Sequence, residues 1–315
     1  MASTKVQRFI GGHVSCSRKW KINFLASFKS SVIEALSIGA NCFALYLKSS
    51  RQWSSKIVSD KDAADFKLIC KEKSILLDKI VPHGSLLLNC GSPKPDVLDK
   101  SRSSLIEELK ICQKLGISLY NFHPGNFPFR NHIGSTLNKI SRAECIAKIA
   151  MCVNEAIEAV NGVVILLENS AGQGGSVGHT FEELRQIIDQ IKDKSRIGIC
   201  FDTCHAFAAV SFDIFEVEGY DISTESGYHL TMEEFDKVIG LDFLKAFHIN
   251  DSKGIIDRHE TIGKGKIGIH AFELLLNDGR FEDIPMVLET PLKNGEFSDY
   301  SHEIKILKSL IIRDN

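Results

Sequence analysis

The nine cysteines include no Cys-x-x-Cys pair, which removes the common paired-thiol zinc and redox frameworks. Their positions are scattered: Cys16, Cys42, Cys70, Cys90, Cys112, Cys145, Cys152, Cys200 and Cys204. Several fall in apolar periodic segments and read as core, which fits a reduced, intracellular setting. No apolar run reaches the ~18 residues a membrane span needs. The opening MASTKVQRFIGGHVS has no apolar h-region, so no secretory leader is expected. No nuclear or mitochondrial address stands out. No Gly-rich phosphate fingerprint follows the first apolar run, which argues against a dinucleotide or P-loop fold. No Pro/Ser-rich linker divides the 315 residues, so one domain is expected. Charge of one sign is lacking too: 38 basic against 40 acidic side chains leave −2. That is not the global signature of a nucleic-acid binder, although local fields decide binding.

What is present is alternation. Eight short apolar runs, at Phe9–Val14, 41–47, 79–82, 117–122, 163–167, 197–201, 243–247 and 284–288, are separated by longer segments of helical period. The helical candidates include 97–115, 142–160, 180–191, 270–277 and 300–310. Thr180 followed by Glu183 is a capping-box pattern. Gly39, Gly116 and Gly162 each follow a helical segment, where a left-handed residue closes a helix. Strict strand–helix alternation implies a parallel sheet. Eight units imply a closed (β/α)₈ TIM barrel of the α/β class, a single domain over 1–315 with its core at about 8–310. Pattern alone leaves an open doubly wound sheet as the alternative. Stretches 126–140 and 210–230 read as excess loop.

Polar residues capable of holding a metal fall at the ends of the apolar runs. The runs end at His83, His123, Glu168, Asp202, His248 and Glu289. In a barrel all such ends point into one mouth, so six ligand-type residues converge. His205 lies three residues past Asp202, and Asp257 and His259 sit two apart, facing one side of an extended chain. A lone strand-end histidine is more often a hydrogen-bonded core residue, but a carboxylate behind VVILL needs a partner, and chance does not place six such residues at six ends. Nine N/O ligands exceed one metal's need and suit two or three zinc ions; manganese remains compatible by ligand type. Three divalent ions over four carboxylates leave the site net positive, an anion site suited to phosphate.

The segments GGHVS (11–15), SSRQW (49–53), VPHGS (81–85), NFHPG (121–125), LLENSAGQG (166–174), CFDTCHAFAA (200–209), HINDSK (248–253), DRHETIGKGKIG (257–268) and VLET (287–290) resemble the endonuclease IV family of apurinic/apyrimidinic endonucleases. The resemblance runs from about residue 8 to 310. It implies a TIM barrel with three zinc ions: one on His83, His123 and Glu168; a second sharing Glu168 with Asp202, His248 and Glu289; a third on His205, Asp257 and His259. It also implies a metal-activated water attacking phosphorus, with Glu168 and Glu289 as the catalytic carboxylates. The products are a 3′-hydroxyl and a 5′-deoxyribose phosphate from cleavage 5′ to an abasic site. Removal of blocked 3′ ends is a related family activity.

By the same resemblance Arg51 enters the duplex, and Leu86 takes a wedge position that carries an aromatic in the best-known members. An apolar wedge still unstacks bases, but without ring stacking. Gln52 and Trp53 support that loop or pack. Lys264 and Lys266 flank Gly265 and are candidates for phosphate contact, against the alternative of solvated surface lysines. His13 and His132 read as structural or outer residues, and Cys200 and Cys204 as packing. The implied partner is double-stranded DNA with abasic sites or blocked 3′ ends, bound by a monomer, with no membrane. The compartment would be the nucleus of a eukaryote, with the mitochondrion a second site, or otherwise the cytoplasm. Two rivals remain: a metal-dependent sugar isomerase or epimerase on a similar barrel, which would not need His205, Asp257 and His259, and a non-catalytic DNA-damage binding protein that keeps the barrel.

Overall fold

The computed structural model describes residues 7–15, 28–53, 58–127, 140–209, 220–254, 256–292 and 298–312. Seven parallel strands form one curled sheet in the order β2-β1-β9-β6-β5-β4-β3. They are β1 (Phe9–Val14), β2 (Cys42–Leu45), β3 (Leu119–Phe122), β4 (Val164–Glu168), β5 (Ile197–Asp202), β6 (Leu244–His248) and β9 (Pro285–Leu288). A two-stranded antiparallel arm, β7 (Asp251–Ser252) and β8 (His259–Glu260), follows β6.

The eighth expected strand, 79–82, is not a regular strand. A 3₁₀ turn occupies Leu77–Lys79. The chain then crosses between β2 and β3 through isolated parallel bridges, Phe43 with Ile80, Tyr46 with His83, and His83 with Asn121. The amides of Val81 and His83 donate to Phe43 and Leu45, and Asn121 N donates to Pro82 O. Pro82 has no N–H, so no continuous ladder forms there. The bridges still close the gap between the sheet's two ends. The barrel expected from the eight runs is therefore present, with one irregular stave.

Alternation along the strands separates two cores. Val81, Leu119, Leu166, Cys200 and Ala246 point inward, as do Phe9, Cys42, Ala44 and Val287. Phe43, Phe122, Phe201 and Phe247 point outward under the helices. The helices are α1 (Phe28–Ser37), α2 (Asp60–Glu72), α3 (Pro95–Leu115), α4 (Arg142–Ala159), α5 (Phe181–Asp189), α6 (Thr203–Ala209), α7 (Glu225–Val238), α8 (Ile269–Asn277) and α9 (Ser298–Leu310). Pro95 opens α3, where its missing amide costs nothing. Gly116 closes it in the left-handed conformation at φ 77°. Gly39 and Gly162 also take positive φ.

Two local expectations need correction. Thr180 caps α5 by accepting from Glu183 N, but the Glu183 carboxylate does not return to the cap. It accepts from Gly178 N at 2.8 Å and pairs with Arg142 and His179, because a guanidinium is a stronger partner than an amide. The full capping box is at Ser141 and Glu144, at the start of α4. The 210–230 stretch is not all loop either: α7 begins at Glu225, with Thr224 accepting from Gly227 N. Residues 210–219, and most of 126–140, lie outside the described residues.

Candidate metal centre

Six of the nine expected residues stand on one rim. Glu168, Asp202 and His248 are the last residues of β4, β5 and β6. His123 and Glu289 follow β3 and β9 by one residue, and His83 ends the bridging stave. His205 joins them from the first turn of α6, where its amide donates to Asp202 Oδ1 at 2.7 Å. Asp257 and His259 come from the β7–β8 arm, which folds back over the mouth.

The side chains converge. His83, His123 and Glu168 form one cluster; Glu168, Asp202, His248 and Glu289 a second; Asp202, His205 and His259 a third. In each, one ligand atom per residue lies within 4.8 Å of the others. His83 Nε2 is 3.3 Å from Glu168 Oε2, and His123 Nε2 is 3.9 Å from it. His248 Nδ1 is 3.1 Å from Glu168 Oε1 and 3.1 Å from Glu289 Oε2. Asp257 Oδ1 is 3.4 Å from His205 Nε2 and 3.8 Å from His259 Nε2. Tetrahedral bonds of 2.0–2.1 Å put ligand atoms about 3.3 Å apart, so these separations match a shared divalent ion.

Tautomers favour the same reading. His83, His205 and His259 each turn Nδ1 to a backbone carbonyl, of Gly84 at 2.8 Å, Asn169 at 3.0 Å and Glu289 at 3.1 Å. An Nδ1–H donated to a carbonyl leaves the Nε2 lone pair facing a carboxylate, an arrangement characteristic of metal-bound histidine. Lone pair against carboxylate repels unless a cation or a proton lies between them.

Charge is concentrated here. Glu168 is fully buried, and among the described residues its ion-pair partners are all imidazoles. Burial alone would raise its pKa, but His123, His248 and His205 outweigh burial and hold it well below the usual range. Glu289 is lowered in the same way, with His248 overcoming burial. Burial opposes the charged imidazolium, yet the carboxylates of Asp202, Asp257 and Glu168 prevail at His205, and Cys200 with Glu168 and Glu289 prevails at His248, so both are raised. At His123 burial prevails and lowers the pKa. The site therefore demands positive charge, which protons or divalent ions can supply in competition.

The comparisons with known proteins agree with this geometry. The model of the xylose isomerase-like TIM barrel family matches residues 32–310. An apurinic-apyrimidinic endonuclease of Caenorhabditis elegans is 42% identical over 288 residues, covering 90% of this chain and 66% of that protein. A probable endonuclease 4 of Campylobacter concisus is 41% identical over 307 residues, covering 96% and 98% of the two chains. The crystal structure of endonuclease IV from Thermus thermophilus superposes with a TM-score of 0.77 at 26% identity, over 96% and 98%. The chain belongs to the endonuclease IV family of apurinic/apyrimidinic endonucleases. Membership makes it a hydrolase of the endonuclease class.

Sequence reasoning missed several residues that orient the nine in this endonuclease. Asn121 Nδ2 donates to Glu168 Oε2 at 2.6 Å. Asn169 spans Asp202, accepting from its amide at 2.6 Å and donating to its carbonyl at 3.0 Å. Asn250 donates to Asp202 Oδ2 at 2.7 Å and accepts from Glu289 N at 2.8 Å. All three lie inside the motifs NFHPG, ENS and HIND, adjacent to or two residues from a histidine or carboxylate of the set, which was the available signal. Asp251 is another: it accepts from the amides of Gly265 and Ile267 at 2.9 and 3.0 Å and so shapes the 261–268 loop. A Cβ at Gly265 would collide with Asp251 and the Ser252 carbonyl.

The expected DNA-facing residues of the endonuclease are on the surface. Arg51, Lys264 and Lys266 are exposed, and Leu86 is 52% exposed although apolar. Leu86 N donates to Ser50 O at 3.1 Å, so the Arg51 and Leu86 loops are joined. Trp53 packs against the core. His13 lies beside the centre, its ring 4.5 Å from Tyr46 and 6.2 Å from His83. Burial lowers its pKa to about 4, and its Nε2 has no hydrogen-bond partner among the described residues. His132 lies outside the described residues. Cys200 packs in the barrel interior. Cys204 Sγ lies near Asp257 and His259, and burial pushes its thiol up to about 12. The eight described cysteines are all free and buried. Among the described residues no helix is long and apolar enough to cross a membrane.

Proposed function

We propose that this chain is a zinc-dependent endonuclease of base excision repair that cleaves double-stranded DNA 5′ to abasic sites. The products would be a 3′-hydroxyl and a 5′-deoxyribose phosphate, and blocked 3′ ends would be a second substrate class. The observation that carries the reading is the buried Glu168 carboxylate ringed by imidazoles, three of the site's histidines having Nδ1 held by backbone carbonyls.

Three zinc ions would be held by His83, His123 and Glu168; by Glu168, Asp202, His248 and Glu289; and by His205, Asp257 and His259, the third set supported by the approach of Asp257 Oδ1 to both imidazoles although the cluster found there pairs His205 and His259 with Asp202. Bound divalent ions supply Lewis acidity and positive charge for a phosphodiester. Glu168 holds two clusters together as a shared carboxylate. Glu289, whose side chain is 16% exposed, accepts a hydrogen bond from the attacking water and orients it. Arg51 and Leu86 fill the gap left when the damaged nucleotide is extruded, which costs least where pairing is already lost. Lys264 and Lys266, on the loop shaped by Asp251, neutralise flanking phosphates. The chain would act as a monomer, as one unit over about 8–310. Its substrate would place it in the nucleus of a eukaryote or the cytoplasm of a bacterium.

The test is a labelled duplex with one abasic-site analogue, incubated with native protein, chelated protein and Glu168→Ala. Chelator-sensitive incision 5′ to the site, absent in the variant, supports the reading. Binding without incision by fully metallated protein would replace it with a damage sensor. Neither binding nor incision would favour the sugar isomerase reading.

A further inference from the structure

Two side chains outside the metal centre carry a second role. Glu108 lies on α3, completely buried. Its Oε2 accepts from Ser85 N at 3.3 Å and Tyr120 Oη at 3.0 Å, and its Oε1 from Ser104 Oγ at 3.1 Å. Lys48 Nζ lies 3.5 Å from Oε1. The Lys48 side chain is 2% exposed, and its Nζ also donates to Ser104 Oγ at 2.5 Å, to Glu107 Oε2 at the surface at 3.1 Å and to Trp53 O at 3.4 Å. Burial pushes the Glu108 pKa up against the pull of Lys48 and the hydroxyls.

The position of this pair is informative. Lys48 opens and Trp53 closes the segment that exposes Arg51. Ser85 lies between His83 and exposed Leu86. The Ser50 carbonyl accepts from both Leu86 N at 3.1 Å and Ser85 Oγ at 3.2 Å, and Ser85 Oγ also receives Leu87 N at 3.3 Å. Both probing loops therefore rest on the buried Lys48 ammonium, which Glu107 and Glu108 share, on the buried Glu108 carboxylate, and on each other. A buried ion pair is a weak source of stability compared with apolar packing of the same volume. It does impose direction, because each lone pair and N–H admits few geometries.

We propose that Lys48 and Glu108 are positioning residues that lock the Arg51 and Leu86 loops into one preset wedge for opening the duplex at the damaged site. The proposal rests on the reading of Arg51 and Leu86 as DNA-entering residues. With the loops held, the wedge is ready before DNA arrives and binding does not have to order it.

The experiment uses the metallated full chain and a duplex carrying 2-aminopurine opposite the abasic site, which brightens when its stacking is lost. Glu108→Gln and Lys48→Met should reduce the brightening and raise KM for the paired duplex about tenfold or more, as misplaced positioning groups do. The kcat and the bound metal should stay as in the native protein. On a duplex whose abasic site sits in a mismatched bubble, already open, the defect should vanish. Ile304→Val, a distant core change, controls for lost stability and should leave the brightening intact. Ser85→Ala removes the contact to Ser50 and should act in the same direction, which keeps the test available if the charge variants fail to fold. If Arg51→Ala and Leu86→Ala leave the brightening unchanged, the DNA reading of the loops fails and the proposal with it. If those two abolish it while Glu108→Gln, Lys48→Met and Ser85→Ala do not, the clamp alone is overturned. An equal defect on the bubble substrate also overturns it.

Discussion

His259 directs its Nδ1 at the backbone carbonyl of Glu289, 3.1 Å away. The main chain of Glu289 thereby orients a histidine of one cluster while its side chain belongs to another. His259→Ala should remove one of the three ions and leave the other two. Elemental analysis per chain reads this directly, and incision should fall by more than the about 10- to 100-fold typical of losing an outer partner.

Asn250 lies behind the centre and touches both Asp202 and Glu289. Asn250→Ala should weaken metal binding or incision about 10- to 100-fold and leave one acceptor, Asp202 Oδ2, and one donor, the Glu289 amide, without this partner, costing about 1–3 kcal/mol. Competition with a chromogenic chelator and denaturant unfolding measure the two effects separately.

Metal removal should destabilise the fold. An ion a thousandfold over its Kd adds about 4 kcal/mol of apparent stability, and here it also relieves repulsion around Glu168. Chelation should lower the Tm, zinc should restore it, and Glu168→Gln should abolish most of the difference. Binding should release protons, because raised imidazoles at His205 and His248 must lose theirs. Calorimetry in buffers of different ionisation enthalpy counts those protons.

Glu183 links the loop after β4 to α4. Burial opposes its charge, but His179 and Arg142 outweigh that and lower its pKa from 4.5 to about 2. A depressed folded-state pKa stabilises above the unfolded value and is lost as pH falls through the folded one. The contribution, on the order of 3 kcal/mol, should be fully present above pH 4.5 and vanish toward pH 2. Acid unfolding of Glu183→Gln should be correspondingly shallower in that window.

Leu86 is an exposed apolar tip. Leu86→Ala should change stability by less than about 0.5 kcal/mol while reducing incision of the abasic duplex. Leu86→Tyr should tighten binding, since an aromatic–base stack contributes about 1–3 kcal/mol. Fluorescence anisotropy on the uncleaved analogue checks both.

Much of the site was legible because a parallel barrel turns a one-dimensional rule into geometry. Apolar runs ending at Glu168, Asp202 and His248 were strands, and a strand's end is a rim position. The stave through Pro82 was harder: its apolar residues read as a strand, but the missing amide left only isolated bridges. Glu183 likewise matched a cap pattern until Arg142, 41 residues away, offered a stronger partner. The start of α7 fell within what read as loop although Thr224 supplied an N-cap, because Gly227, a weak helix former, sits in its first turn.

Periodicity and strand-end chemistry, both local, determined the barrel, its mouth and the nine residues gathered there. Tertiary structure alone decided which imidazole faces which carboxylate and which carbonyl holds its other nitrogen. It also decided that Lys48 and Glu108, 60 residues apart, meet beneath two loops. The physical reason is that hydrogen-bond direction depends on the twist and closure of the whole barrel. Those are set by contacts between distant strands, and no window of sequence contains them.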